Sequence, residues 1–398
     1  MTMPLLSPSR RLRRTPFSDG VEAAGVTAYT VYNHMLLPTV FRSVTEDYRH
    51  LKEAVQVWDV ACERQVELRG PDAGRLMQML TPRDLSRVVP GQCLYVPIVD
   101  AAGGMLNDPV AVRLDEDRWW ISIADSDLLY WVNGVAQGWR LDVLVDEPDV
   151  SPLAVQGPLA DELMARVFGA AVRDLRFFRF ARFDFAGRSL AVARSGYSRQ
   201  GGFEIYLEGA DLGMPLWHAL MEAGRDLDVR AGCPNLIERI EGGLLSYGND
   251  MTDDNTPHEC GLGRFCDTDT AVGCIGRDAL LRVAREGPVQ QIRAIAIDGP
   301  AVPVCDRWWP LVAGGKAVGR VSSAAWSPDF DTNVAIGMVR MTHWDAGTVL
   351  EVQVPGGARR AEVPVAGAGP AAARLRGLCG AAPEAAVLCG VSPRFGRR

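Results

Sequence analysis

The chain has 398 residues, 47% of them hydrophobic and 23% charged, so it is long enough to bury the cores of two or three domains. Its net charge of −7 argues against a broad basic surface, so we expect no nucleic-acid partner. The sequence contains no run of about 18 apolar residues, and the arginines between positions 10 and 14 precede Thr-Pro-Phe-Ser rather than an apolar stretch. We therefore expect neither an export signal nor a membrane partner.

The nine cysteines are sparse and include no CxxC pair, which is typical of reduced, structural thiols in a cytoplasmic protein. His258, Cys260 and Cys266 lie close together in the sequence but lack the spacing of a zinc site, so we expect no metal. The ten tryptophans and eight tyrosines supply aromatic surface that suits a flat or cationic ligand.

Hydrophobic periodicity predicts the elements of the first part of the chain. Tyr48, Leu51 and Val55 share one helical face and predict a helix over 47–55, whereas alternation predicts a single strand over 57–70. The next predicted elements are a short amphipathic helix over 72–82 and three antiparallel strands over 93–100, 100–114 and 118–125. Glycine- or aspartate-rich turns separate the strands, and a further helix is predicted from Asp125 onward.

The second part repeats this alternation of strands and helices. No GxGxxG follows a strand, so the pattern favours an α+β fold over a dinucleotide-binding βαβ fold. From about Val289 the sequence predicts a small all-β unit, most simply a barrel. After about Val365 the chain is rich in alanine, glycine and proline, and we expect an irregular tail.

Asp108 follows a Gly-Gly turn and enters a strand that is predicted to be half-buried. An aspartate in such a turn commonly caps its own backbone. Alternatively, it is a fixed carboxylate that holds or accepts a proton from a nitrogen nucleophile.

Glu204 and Tyr206 lie two residues apart on a predicted strand and therefore share one face, while Phe203, Ile205 and Leu207 face the core. The pair is either a surface pair or a carboxylate that accepts two N–H bonds from a flat heterocycle beside an aromatic ring. The glycines of the preceding stretch, 195–202, would let the backbone approach closely.

A helix that ends in a Tyr-Gly turn is predicted over 235–250, with Ile237, Ile240 and Leu244 on one side. Its charged residues Glu238, Arg239 and Glu241 are compatible either with a solvated ion-pair face or with a place in the site.

Several of these stretches together resemble one known family. "WDVACERQVELRGPDA", "GGMLNDPVAV", "SGYSRQGGFEIY" and "GRVSSAAWSP" resemble the glycine-cleavage T-protein (aminomethyltransferase) family in order and spacing. Longer runs, such as "GGMLNDPVAVRLDEDRWWISIADSDL" and "GCPNLIERIEGGLLSYGNDMT", are similar to the dimethylsulfoniopropionate demethylases within that family. The resemblance extends from about Arg10 to Val365.

The resemblance implies an α+β fold of the T-protein type. This is a three-domain cloverleaf of antiparallel sheets with helices and a small C-terminal β-barrel around a central folate cleft. The implied division is a discontinuous first α+β domain (1–60 and 150–235), a second α+β domain (61–149), a connecting helical segment (236–285), a barrel-like domain (286–365) and the tail (366–398).

The resemblance also implies that the cleft holds tetrahydrofolate as the methyl acceptor, which receives a methyl group on N5 from dimethylsulfoniopropionate. Folate-binding residues are expected at Tyr95, Asp108, Tyr197 and Glu204, and residues near the methyl donor at Tyr32 and Tyr206. Asp108 and Tyr206 are the expected catalytic residues. A cytoplasmic monomer or homodimer is expected.

Other functions stay open on the sequence. The donor could be another onium or methoxy compound, or the chain could bind folate without turnover. An aminomethyltransferase acting on a carrier protein is less consistent with Asn107, because T-proteins usually carry a second acidic residue there. Arg179, Arg199 and Arg239 are candidates to bind the carboxylate of the donor.

Overall fold

The computed structural model of the chain describes residues 9–267 and 273–365, so the predicted tail over 366–398 lies outside the described residues. The described residues form helices α1 (Ser18–Ala23), α2 (Val44–Glu53), α3 (Ala73–Leu80), α4 (Leu128–Gly138), α5 (Ala160–Phe168), α6 (Gly213–Ala223), α7 (Leu236–Gly242) and α8 (Arg277–Glu286). They form strands β1 (Ala28–Tyr32), β2 (Met35–Val40), β3 (Gln56–Asp59), β4 (Gln65–Arg69), β5 (Gln92–Tyr95), β6 (Ile98–Val99), β7 (Met105–Asn107), β8 (Val110–Arg113), β9 (Arg118–Ser122), β10 (Leu144–Asp146), β11 (Val150–Gln156), β12 (Phe180–Phe185), β13 (Arg188–Ala193), β14 (Gly202–Glu208), β15 (Arg230–Gly232), β16 (Gln290–Ile297), β17 (Trp309–Ala313), β18 (Lys316–Ser327), β19 (Thr332–Arg340), β20 (Val349–Val354) and β21 (Gly357–Glu362).

The first sheet has six strands in the order β12-β13-β14-β11-β3-β15, and only the β15–β3 pair is parallel among its ladders. Phe203, Ile205 and Leu207 of β14 point from this sheet into a core that also contains Leu163 of α5 and Leu220 of α6. The alternation of apolar residues in β14 therefore places Glu204 and Tyr206 on the opposite face, as the sequence predicts.

The second sheet has five antiparallel strands in the order β10-β4-β9-β8-β5. Its core is covered by the apolar faces of α3 and α4, with Leu76 and Val132 fully buried. The first strand of this sheet, β4, pairs with its last, β10, so that Glu67 lies opposite Asp146. The second sheet therefore begins and ends at neighbouring points beside the first sheet.

The third unit is a closed barrel with the strand order β16-β19-β18-β17-β20-β21, in which β21 pairs back to β16. The antiparallel sheets with helices and the C-terminal barrel confirm the predicted α+β fold class. The strands of the first sheet come from segments before and after the second sheet in the chain, and the division into domains stays a prediction.

Several predicted elements have different limits. The strand predicted over 57–70 is divided into β3 and β4, which belong to different sheets. The strands predicted over 93–100 and 100–114 are likewise divided, into β5 and β6 and into β7 and β8. Helix α2 ends at Glu53, before Val55, and the helix predicted over 235–250 ends at Gly242, before Leu244. All four residues of β3 are buried, so alternation there marks neither its end nor the turn that follows.

The first and second sheets are also joined directly. The amide of Cys93 donates to the carbonyl of Phe178 at 3.0 Å, and the amide of Phe180 donates to the carbonyl of Gly91 at 3.1 Å. The start of β5 is thus hydrogen-bonded to the segment that leads into β12. Every helix in the described part of the chain is too short or too polar to cross a membrane.

Candidate active site

Asp108 follows β7 and forms a hydrogen-bonded pair with Tyr95 at the end of β5. The hydroxyl of Tyr95 donates to Oδ2 of Asp108 at 2.7 Å. The other oxygen, Oδ1, is buried and has no hydrogen-bond partner among the described residues. Burial raises the pKa of Asp108 to about 7, while the hydrogen bond from Tyr95 works in the opposite direction. The carboxyl group of Asp108 therefore changes its charge near neutral pH.

The turn that carries Asp108 is held on both sides. Asn107 is fully buried, and its side chain donates to the carbonyl of Ala124 at 3.0 Å and to Oγ of Ser126 at 2.8 Å. On the other side, Gly104 packs so closely that a Cβ atom there would lie 2.2 Å from the carbonyl oxygen of Asp253. The turn is therefore fixed by packing. The carboxyl group of Asp108 interacts with its own backbone, as the capping alternative predicts, and it also accepts a hydrogen bond from Tyr95.

Glu204 is 8% exposed, and its Oε2 accepts a hydrogen bond from the hydroxyl of Ser195. Burial raises its pKa, and the Ser195 hydroxyl lowers it. Gln156 holds this segment in place by donating to the carbonyl of Ser195 at 3.1 Å. Close approach requires glycine here, because a Cβ atom on Gly196 would lie 2.0 Å from Nε2 of Gln156.

Tyr206 is 1% exposed and packs between the two sheets, with its ring centroid 5.6 Å from that of Trp120. Its hydroxyl makes no hydrogen bond of normal geometry within the described residues, although the Ser122 hydroxyl lies near it. Burial and the charges of Glu204 and Glu63 raise the pKa of Tyr206 well above its ordinary value.

Tyr197 and Tyr32 complete the predicted set. The hydroxyl of Tyr197 donates to the carbonyl of Leu245 at 2.7 Å, and the half-buried Tyr32 lies at the turn between β1 and β2. Burial raises the pKa of both tyrosines, and the charge of Asp108 raises it further in each case. Both rings therefore lie within electrostatic reach of the Asp108 carboxyl group.

Helix α7 contributes buried charges rather than a solvated face. Arg239 is 8% exposed and pairs with the fully buried side chain of Asp250, with 2.9 Å between Nη1 and Oδ2. Oδ1 of Asp250 accepts hydrogen bonds from the hydroxyls of Ser322 and Ser323 on the barrel strand β18, at 2.7 and 2.6 Å. Arg239 is thus occupied by Asp250 and is a poor candidate for binding a donor carboxylate.

Glu63 is a site residue that the sequence reasoning overlooks. It lies in the turn between β3 and β4, and the charges of Glu204 and Asp108 add to burial in raising its pKa well above the ordinary value. The signal is present in the sequence, because Cys62-Glu63-Arg64 interrupts an apolar run, but the prediction of one continuous strand conceals it. Glu63, Asp108 and Glu204 are therefore close enough to interact, and they come from different elements.

A separate groove of about 610 Å³ lies outside this group of residues. Arg13, Arg64 and Glu147 are among the residues that line it, and both arginines pair with Glu147. None of the predicted site residues lines this groove.

Comparison with known proteins matches both parts of this architecture. The profile of the GCVT N-terminal domain matches residues 17–270, and that of the glycine cleavage T-protein C-terminal barrel domain matches residues 290–367. The chain belongs to the glycine cleavage T-protein family. The first profile spans both sheets and the first part of the connecting segment, and it includes every predicted site residue of this T-protein family member.

Two relatives illustrate the range of the family. The dimethylsulfoniopropionate demethylase DmdA of Ruegeria pomeroyi is 63% identical over 357 residues, which cover 90% of this chain and 97% of that protein. An aminomethyltransferase of Symbiobacterium thermophilum is 31% identical over 82% of this chain and 89% of its own length. The crystal structure of the glycine cleavage system aminomethyltransferase T of Bartonella henselae has the same fold, with a TM-score of 0.78 at 23% identity, over 88% of this chain and 96% of that one.

Proposed function

We propose that the chain is a tetrahydrofolate-dependent methyltransferase that demethylates dimethylsulfoniopropionate. The reaction breaks one S–CH3 bond, whose electron pair stays on sulfur, and forms one N–CH3 bond at N5 of tetrahydrofolate. The products are 3-methylthiopropionate, 5-methyltetrahydrofolate and one proton. The observation that carries this proposal is the 63% identity to a dimethylsulfoniopropionate demethylase over 90% of the chain.

The residues present fit a folate. Glu204 is a buried carboxylate with one oxygen bound by Ser195, which suits the N–H groups of an amino-pyrimidinone edge. Oδ1 of Asp108 is a buried acceptor without a partner, which suits an N–H group or a proton. We propose that Glu204, Tyr95, Tyr197 and Asp108 hold tetrahydrofolate, which supplies a nucleophilic amine to take the methyl group.

In this reaction the protein has to align the two reactants and to remove one proton. Fixing the two reactants in line can lower the barrier by about 7–11 kcal/mol. Asp108 is held by Tyr95 and by the fixed turn after β7, and with its pKa near 7 it can accept the proton released at nitrogen. We place the methyl donor near Tyr32 and Tyr206, whose pKa values are raised by burial and by the charges of the acidic groups.

The decisive experiment is mass spectrometry of an anaerobic mixture of the protein, tetrahydrofolate and dimethylsulfoniopropionate. The expected products are 5-methyltetrahydrofolate and 3-methylthiopropionate in equal amounts. If the protein binds tetrahydrofolate but no methyl group moves, the donor is wrong, and other onium and methoxy compounds become the candidates.

A pair of variants tests the assignment of Glu204. We expect Glu204→Ala to weaken tetrahydrofolate binding by about 10- to 100-fold, because a charge-assisted hydrogen bond contributes about 1.5–3 kcal/mol. Asp108→Ala should instead lower turnover with a smaller effect on affinity. Titration calorimetry measures the affinities, and unchanged affinity in the Glu204 variant would reject its folate-binding role.

A further inference from the structure

The hairpin of β1 and β2 depends on its anchors for its position. Its two strands form a sheet of their own, and Tyr29 and Val31 of β1 are 38% and 47% exposed. A two-stranded hairpin is only marginally stable by itself. The tip is the two-residue loop Asn33-His34, which directly follows Tyr32. Contacts made at this tip therefore help to fix the place of Tyr32.

The loop has positive φ at both of its residues, +48° at Asn33 and +63° at His34, as a type I′ hairpin turn requires. Asparagine adopts this left-handed region more readily than most residues. The two side chains of the loop differ in their surroundings. Asn33 is 3% exposed, whereas His34 is exposed and its Nε2 lies 3.2 Å from Oδ1 of Asp127. The turn thus buries one of its side chains and leaves the other in solvent.

The buried amide group of Asn33 joins the hairpin to two other segments. Nδ2 donates to the carbonyl of Cys62 at 3.0 Å and to that of Ala124 at 3.2 Å. Oδ1 accepts from the amide of Ser126 at 3.0 Å, and the backbone amide of Asn33 donates to Oδ1 of Asp125 at 2.7 Å. These bonds attach the tip to the turn between β3 and β4 and to the segment that follows β9.

The segment after β9 is held in the same way by Asn107, the residue before Asp108. Nδ2 of Asn107 donates to the carbonyl of Ala124 at 3.0 Å, and its Oδ1 accepts from the amide of Ala124 at 3.0 Å. The carbonyl of Ala124 therefore accepts from both asparagines. A single shared residue thus connects the tip that follows Tyr32 with the turn that carries Asp108.

We propose that Asn33 is a positioning residue, which sets the methyl donor against the acceptor. This inference rests on the proposed function, which places the donor near Tyr32 and the proton acceptor at Asp108. Through the segment after β9, Asn33 and Asn107 fix the spacing of these two groups. Methyl transfer needs the reactants in line, and a displacement of about 1 Å can cost about 10²-fold in rate. Asn33 acts through the hairpin and need not touch either reactant.

The test removes this side chain without disturbing the turn. Asn33→Gly keeps the positive φ without strain and loses the side-chain hydrogen bonds to Cys62, Ala124 and Ser126. We expect the KM for dimethylsulfoniopropionate to rise about tenfold and kcat to fall about tenfold, while the KM for tetrahydrofolate changes by less than about twofold. A purely structural role would instead lower the thermal stability and affect both substrates alike.

Two further variants complete the design. The matched control is His34→Gly, which lies in the same loop with the same sign of φ but loses an exposed side chain, and it should leave all three constants unchanged. Asp125→Ala removes the acceptor of the Asn33 amide at an exposed position that the fold tolerates. It should raise the KM for the donor alone by about two- to threefold, and it decides the question if Asn33→Gly does not fold.

Amide hydrogen exchange of the unliganded protein measures the anchoring without the reaction. Peptides that cover residues 28–40 should exchange at least about tenfold faster in Asn33→Gly, and peptides that cover β14 should be unchanged. Unchanged exchange in the hairpin, or an equal rise of KM for both substrates, would overturn the role of Asn33. Absence of methyl transfer in the unmodified protein would instead reject the proposed function, and the positioning role with it, whatever the exchange shows.

Discussion

At the scale of one side chain, two opposing effects set the pKa of Asp108. Burial favours its neutral form, and the hydrogen bond from Tyr95 favours its charged form. With a pKa of about 7, the group binds a proton more tightly in the folded chain than in an unfolded chain, where the pKa is about 3.9. Ionisation of Asp108 therefore reduces stability as the pH rises from about 4 to about 7. The ionised form that the reaction needs is the form that the fold disfavours.

The first prediction concerns the pH dependence of turnover. Because Asp108 must be ionised to accept a proton, kcat should fall about tenfold for each pH unit below about 7 and level off above it. Asp108→Asn should lower kcat by about 10² or more and abolish this dependence. Steady-state assays from pH 5.5 to 8.5 measure both, and a flat profile in the unmodified protein would remove Asp108 from proton transfer.

The second prediction concerns the partner of Asp108. Tyr95→Phe removes the hydroxyl that donates to Oδ2 at 2.7 Å and so raises the pKa of Asp108 further. A hydrogen bond to a charged group is worth about 1.5–3 kcal/mol, so the acidic limb of the kcat profile should move up by about 1–2 pH units. At pH 9 the variant should recover much of its activity, whereas a uniform loss at every pH would indicate that the hydroxyl has another role.

At the scale of elements, sequence patterns predict those strands whose two faces differ. β14 has its apolar residues on one face, so the placement of Glu204 and Tyr206 on the other could be predicted from alternation alone. The region 57–70 is different, because β3 is buried on both faces and the chain changes sheets without a glycine or proline. No strong local pattern marks the point where the chain passes from the first sheet to the second. Glu63 lies at that point, so the sequence does not single it out.

A close backbone approach at Gly104 gives the third prediction. Gly104→Ala would place a Cβ atom 2.2 Å from the backbone oxygen of Asp253, so the turn before Asp108 must move away from the connecting segment. We expect a loss of about 1–3 kcal/mol in the free energy of unfolding, together with reduced kcat. The control is Gly134→Ala in α4, where the added methyl group meets nothing within 4 Å and should stabilise the helix by about 0.5–1 kcal/mol.

At the scale of the whole molecule, the buried ion pair between Arg239 and Asp250 connects the barrel to the candidate site. Asp250 accepts from Arg239 on α7 and from two barrel serines, Ser322 and Ser323, and its charge also acts on Asp108. The sequence offers Arg239 as an ordinary surface residue or a ligand for the donor. Its actual role depends on Asp250, 11 residues further along the chain, and on a barrel serine 84 residues away, which a local pattern cannot bring together.

The fourth prediction tests this connection. Asp250→Asn leaves the guanidinium of Arg239 buried without its counter-ion, and breaking a buried pair in this way costs about 3–5 kcal/mol. Denaturant unfolding should show that loss, and it should be partly restored in the double variant Arg239→Met with Asp250→Asn. If the single variant is as stable as the unmodified chain, the pair contributes little to holding the barrel against α7.

The pairing of β4 with β10 also sets an order for assembly during synthesis. The second sheet is complete once β10 has been made, and its two ends lie side by side, so it can form while the rest of the chain is still on the ribosome. By contrast, β3 has no strand to pair with until β11 and β15 have been synthesised. Asp108 and Glu63 are therefore synthesised before Glu204, and β14, which carries Glu204, joins them only through the long-range pairing of the first sheet.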